Sequence, residues 1–214
     1  MPAARDGRGG AASVGQVGER RRVLARRVRW LVAGTIAYNV VEAVVALAAG
    51  EAAGSGALVG FGLDSVVEVA SAAAVAWQFA GVDPERRERA ALRVIAGSFF
   101  VLAAYVVGDA VWALARGSEA GHSTVGIVLA AVSLAVMPVL SGAQRRAGRE
   151  LGSASAVADS KQTLLCTYLS GVLLAGLLLN TLFGWYWADP VVALVIAAVA
   201  VREGREAWRG EHCC

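Results

Sequence analysis

Four residues able to hold a cation fall into two pairs, each pair four positions apart: Asp64 with Glu68, and Gln162 with Cys166. On a helix that spacing puts both members of a pair on one face, about one turn apart. Two carboxylates a turn apart repel when both are ionised, unless a cation lies between them. With an amide oxygen and a thiolate from the second pair they complete a four-ligand site for a divalent cation. A buried acid can instead be satisfied by hydrogen bonds or by one arginine, and a lone cysteine can be a small buried hydrophobe. The stretches around both pairs, "LVGFGLDSVVEVASAAAVAW" and "VADSKQTLLCTYLSG", are otherwise apolar. An acid near the centre of a bilayer costs roughly 2.5–3.5 kcal/mol on insertion scales, so two of them call for a reason.

The elements that carry these pairs are long apolar helices. Of the 214 residues, 57% are hydrophobic and 17% charged, with a mean hydropathy of +0.58. Soluble domains carry about 25% charged residues, so the composition is that of a membrane protein. Six segments are long and apolar enough to span roughly 30 Å of hydrocarbon: 28–49, 56–80, 91–115, 123–143, 155–181 and 186–203. Short connections such as "GEAAGSG", "GVDPERRER", "RRAGRELGS" and "LFGWYWADP" separate them, and no strand-like alternation occurs. The expected fold is all-α, a six-helix transmembrane domain over 28–205. A basic, flexible tail (1–27) precedes it and a short tail (206–214) follows. Asp189 before Pro190 reads as the cap of the last helix, and Pro138 as a kink in the fourth. The first 25 residues lack the apolar core of a cleaved signal peptide. Three cysteines support no disulfide framework. A net charge of +3, with arginines in short clusters, gives no reason to expect nucleic acid.

Those clusters set an orientation. Arg20, Arg21, Arg22, Arg26, Arg27 and Arg29 lie before or at the first span, Arg86, Arg87 and Arg89 between the second and third. Arg145, Arg146 and Arg149 separate the fourth and fifth, and Arg202, Arg205 and Arg209 close the sixth, whereas the alternate loops hold only Arg116. The positive-inside rule then places both termini in the cytoplasm, with Trp185, Tyr186 and Trp187 at the outer interface. The basic residues well inside a span are Arg93 and Lys161, both nearer the cytoplasmic side.

The two paired stretches resemble a known family. "GFGLDSVVEVAS" is similar to the second transmembrane helix of cation diffusion facilitators, in which an acid or His and a second acid sit four apart. "ADSKQTLLCTYLS" resembles their fifth helix, which typically reads "AD", two residues, His, three residues and Asp. "WADPVVALVIAAVAVREGREAW" resembles the sixth helix and "YNVVEAVVALAAG" the first, including its acid at Glu42. The resemblance covers about residues 25–210. It implies an intramembrane metal site at Asp64, Glu68, Gln162 and Cys166 in a divalent-cation/proton antiporter of the plasma membrane, exporting from the cytoplasm and working as a homodimer. Two departures stand out. Gln162 and Cys166 replace the usual His and Asp, and the cytoplasmic ferredoxin-like domain of many relatives does not follow the sixth helix. Zinc is the default cargo, with cadmium, cobalt, iron and manganese as the other candidates; thiolate favours the softer ions.

Further polar residues carry weaker signals. Tyr38 and Glu42 share a face of the first helix, as do Tyr105 and Asp109 on the third; each pair either lines a water path or bonds neighbouring helices. Asp159, one turn before Gln162, is a second cation ligand, a partner of Lys161 or a helix cap. His212, Cys213 and Cys214 form a minimal metal-capturing tail or a disordered end. His122 falls in an outer loop. With no nucleophile–base pair and neither histidine in a span, an enzyme is not expected. A membrane metal sensor or partner subunit that keeps the fold is the alternative to a transporter.

Overall fold

The computed structural model describes residues 8–79, 84–117, 120–151 and 154–209; side chains before Trp30 and those of residues 84–88 and 154–162 lie outside the described residues. Six helices follow one another: α1 (Arg8–Ala53), α2 (Gly56–Phe79), α3 (Pro84–Arg116), α4 (Thr124–Leu151), α5 (Ala154–Phe183) and α6 (Ala188–Arg209). The described residues hold no strand. In hydrocarbon each backbone N–H and C=O must be satisfied within its own segment, and the helix does that.

Among the described residues, five windows are long and apolar enough to cross a membrane: Ala33–Ala53, Gly56–Ala73, Leu92–Arg116, Thr124–Ala147 and Thr163–Phe183. The expectation of six such segments is met in helix number but not in hydropathy. The apolar run of α6 stops at Val201, and Arg202, Glu203, Arg205, Glu206 and Arg209 occupy its last two turns. Helix boundaries also outrun the apolar segments. α1 already begins at Arg8, inside the segment expected to be a tail, and α4 continues to Leu151 through the arginines expected to form a turn. Arg, Ala, Glu and Leu are good helix formers, and Arg146 pairs with Glu150 one turn on, so nothing local stops the helix. α4 also passes Pro138 without interruption.

Serines cap two helices. Ser55 Oγ accepts from the Leu58 N–H (3.1 Å) at the start of α2, and Ser123 Oγ from the Gly126 N–H (3.1 Å) at the start of α4. Asp189 does not cap its own helix. Its carboxylate accepts from Ser55 Oγ and, at 3.3 Å, from the Ala57 N–H, so it closes the N-terminus of α2 from α6. Ahead of it, Gly184 takes the left-handed conformation (φ 65°) that ends α5 and turns the chain.

α3 packs on α2 and α6, and α4 on α1 and α5, so the consecutive helices α3 and α4 take different neighbours. One apolar core runs through the bundle, from Phe61 and Val106 to Leu173 and Ile196. The outward faces carry Val44, Val101, Val111, Val128 and Val139, all exposed. An apolar surface of that extent suits lipid rather than water. Where α5 meets α6, Trp185 and Trp187 stack at 5.3 Å, and at the end of α3 the Arg116 guanidinium lies 3.9 Å above the Trp112 ring. α1 and α2 approach each other closely. A Cβ on Gly62 would stand 3.0 Å from Ala46 Cβ, Leu47 Cγ and the Leu47 backbone nitrogen, so only glycine lets these two backbones meet so closely.

Candidate metal centre

α2 presents Asp64 and Glu68 on successive turns of its inner face, and α5 brings Cys166 to them. One ligand atom from each lies within 4.8 Å of the other two, and all three side chains are buried. Zinc–ligand bonds of about 2.0–2.3 Å leave tetrahedral ligand atoms roughly 3–4 Å apart, so small rotations of these side chains suffice to close around an ion.

Of the four residues paired in the sequence, three therefore converge. Gln162 lies on α5 one turn from Cys166, but its side chain and that of Asp159 are outside the described residues. His212, Cys213 and Cys214 are outside them as well. Glu42 of α1 lies beside this group as a further buried carboxylate, its Oε2 4.0 Å from Cys166 Sγ. His122 is exposed, and so is Tyr105.

Uncharged groups donate to Glu68 and Glu42. Asn39 Nδ2 donates to Glu68 Oε2 (2.7 Å), Ser65 Oγ donates to Glu42 Oε2 (2.8 Å), and Ser133 Oγ donates to Glu42 Oε1. Tyr38 OH and Ser133 Oγ share a hydrogen bond of 2.7 Å, so the Tyr38–Glu42 face binds α1 to α4. The same two residues line a groove of about 390 Å³ between those helices. One layer away, Gln144 of α4 donates to Thr35 of α1 and accepts from Thr163 of α5, both at 3.1 Å. The ion pairs Arg146–Glu150 and Arg202–Glu206 are exposed pairs along single helices.

Asn39 and Ser133 were not singled out by sequence, although a signal for them exists. Thr35, Asn39 and Glu42 are spaced by four and three on α1, and Ser133, Ser141 and Gln144 by eight and three on α4; all are buried. Each is a polar stripe on one helix face, the same pattern that marks α5.

Comparison with known proteins identifies the family. The chain is 28% identical over 117 residues to an uncharacterized transporter of Synechocystis sp., a match covering 54% of this chain and 36% of that protein. The match thus spans about a third of the length of that curated relative. The family model described as the cation efflux transmembrane domain matches residues 85–209, which takes in α3 to α6. With more than half of its length matched in this way, the chain belongs to the cation efflux family.

Proposed function

We propose that the protein carries divalent metal cations across a membrane in exchange for protons, exporting them from the cytoplasm, with zinc as the default cargo. The observation that carries this reading is the buried meeting of Asp64, Glu68 and Cys166, ligand atoms within 4.8 Å, between helices long enough to span a bilayer. Carboxylates and a thiol bind a divalent cation only once deprotonated, so loading the site releases protons and reprotonation expels the ion. Alternating exposure of such a site to the two sides turns that competition into exchange. Gln162 supplies a fourth donor in this scheme, and Asp159 an earlier contact on the cytoplasmic side. Direction, the cytoplasmic placement of both termini, a sixth crossing by α6, a plasma-membrane location and a homodimer follow from arginine placement and family resemblance.

Reconstitution into liposomes loaded with a pH-sensitive dye tests the proposal. A zinc gradient should drive proton flux through the parent protein, and Asp64→Ala or Glu68→Ala should abolish it with helicity retained. Flux at parental rate in both variants would refute the site. Zinc binding without any flux would leave a metal sensor instead of a transporter.

A further inference from the structure

We propose that Asn39 is a cation ligand, whose side-chain oxygen brings α1 into the site as a third contributor beside α2 and α5. The inference rests on the cation-site reading of Asp64, Glu68 and Cys166. Asn39 is 3% exposed, and its Nδ2 is committed to Glu68 Oε2 at 2.7 Å. The orientation of the amide is dictated chemically: turned the other way, its oxygen would face a carboxylate oxygen with no proton between them. Oδ1 sits on the same carbon as Nδ2 and finds no hydrogen-bond partner among the described residues. A buried carbonyl oxygen without a donor is costly, and native structures rarely retain one. A cation held by Glu68 and its neighbours would satisfy it, and an amide oxygen is an ordinary ligand for divalent ions.

With Gln162, the donor set then comprises two carboxylates, two amide oxygens and one sulfur. Such a mixed shell suits borderline ions such as zinc, cobalt or iron better than magnesium or calcium, which take all-oxygen shells. Further along the same α1–α2 seam, Gly62 leaves room for Ala46 and Leu47 to pack against α2.

The test is zinc binding by calorimetry on the full chain in detergent, at mildly alkaline pH, with parent, Asn39→Leu, Asn39→Asp and Asp64→Ala compared. Asn39→Leu keeps the size and loses the oxygen, and its zinc affinity should fall about tenfold or more. Asn39→Asp keeps an oxygen, loses the donor to Glu68 and adds a charge, and should bind at least as tightly as the parent. Binding by Asn39→Leu at parental affinity would overturn the proposal. So would an equal loss in both variants, since the amide would then matter only as a hydrogen-bond donor that positions Glu68. If Asn39→Leu does not yield a helical, monodisperse protein, Asn39→Ala takes its place with the same expected loss. Asp64→Ala keeps the two readings apart: parental binding there sinks the whole site, whereas lost binding there with intact binding in Asn39→Leu sinks only the role of Asn39.

Discussion

Asp189→Ala should destabilise the bundle by about 1–3 kcal/mol, although Asp189 lies outside the proposed cation site. The carboxylate accepts from Ser55 Oγ and from the Ala57 N–H, joining the start of α6 to the N-terminus of α2. Hydrogen bonds inside membrane proteins average about 0.6 kcal/mol, which gives a floor of about 1 kcal/mol for two. Charge-assisted bonds are worth about 1.5–3 kcal/mol each in soluble hosts, but the 3.3 Å bond to Ala57 is long and belongs at the low end. The anion also meets the positive end of the α2 dipole. Asp189→Asn keeps an oxygen for Ser55 and sets an NH₂ against the Ala57 N–H, so its loss should be about half as large. Titration from mild detergent into SDS, followed by helicity, reads both values. Glu206→Ala is the control, since it removes only an exposed pair with Arg202 worth about 0.3–0.5 kcal/mol. Ser55→Ala combined with Asp189→Ala should be less damaging than the sum of the two, because both remove one shared bond. If Asp189→Ala unfolds with the parent, the link between α6 and α2 contributes nothing and the reasoning fails.

Two further outcomes are expected. Cys166→Asp should move metal preference toward harder ions such as manganese, and Cys166→Ser should lower zinc affinity at unchanged helicity; parental selectivity in both would reduce Cys166 to packing. In a Cys-free background, His122→Cys and Tyr186→Cys should react with an impermeant thiol reagent from outside, and Arg146→Cys and Arg149→Cys should not; the reverse pattern would invert the orientation. Exposed positions serve better here than Gly117 or Gly184, whose φ of 65° disfavours any side chain.

The helical class and the number of helices were legible because a bilayer-spanning helix announces itself in its own residues. So was the face shared by Asp64 and Glu68, since a spacing of four is geometry rather than context. Cys166 was legible as the partner of Gln162 on one helix face, and its meeting with the two acids is a matter of packing. Asn39 was harder. A polar residue within an apolar helix reads equally well as interhelical glue, and only the register of α1 against α2 puts Asn39 opposite Glu68. Asp189 misled for a related reason. Its local pattern fits a cap for α6, while its partners, Ser55 and Ala57, lie more than 130 positions earlier in the chain. The ends of α1 and α4 ran past the apolar segments because hydropathy marks where lipid stops and says nothing about where helix stops.

The character of the donors around the acids bears on how a cation site survives in a membrane. Asn39, Ser65 and Ser133 satisfy carboxylate oxygens of Glu68 and Glu42 without contributing a positive charge. An arginine in their place would satisfy the same oxygens and neutralise them, and a divalent ion would then have to displace a fixed cation before it could bind. The two serine hydroxyls lower the cost of burying Glu42 while leaving its charge available to the ion or to protons. That division also limits what each substitution can do. Replacing Ser133 by alanine should weaken the packing of α1 on α4 and leave cation charge balance intact. Replacing Ser133 by lysine should hold Glu42 as a permanent ion pair, and cation affinity should drop even though the local carboxylate is better satisfied. If Ser133→Lys folds and binds zinc like the parent, Glu42 takes no part in the charge balance of the site, and Asp64 and Glu68 with Cys166 must supply it alone.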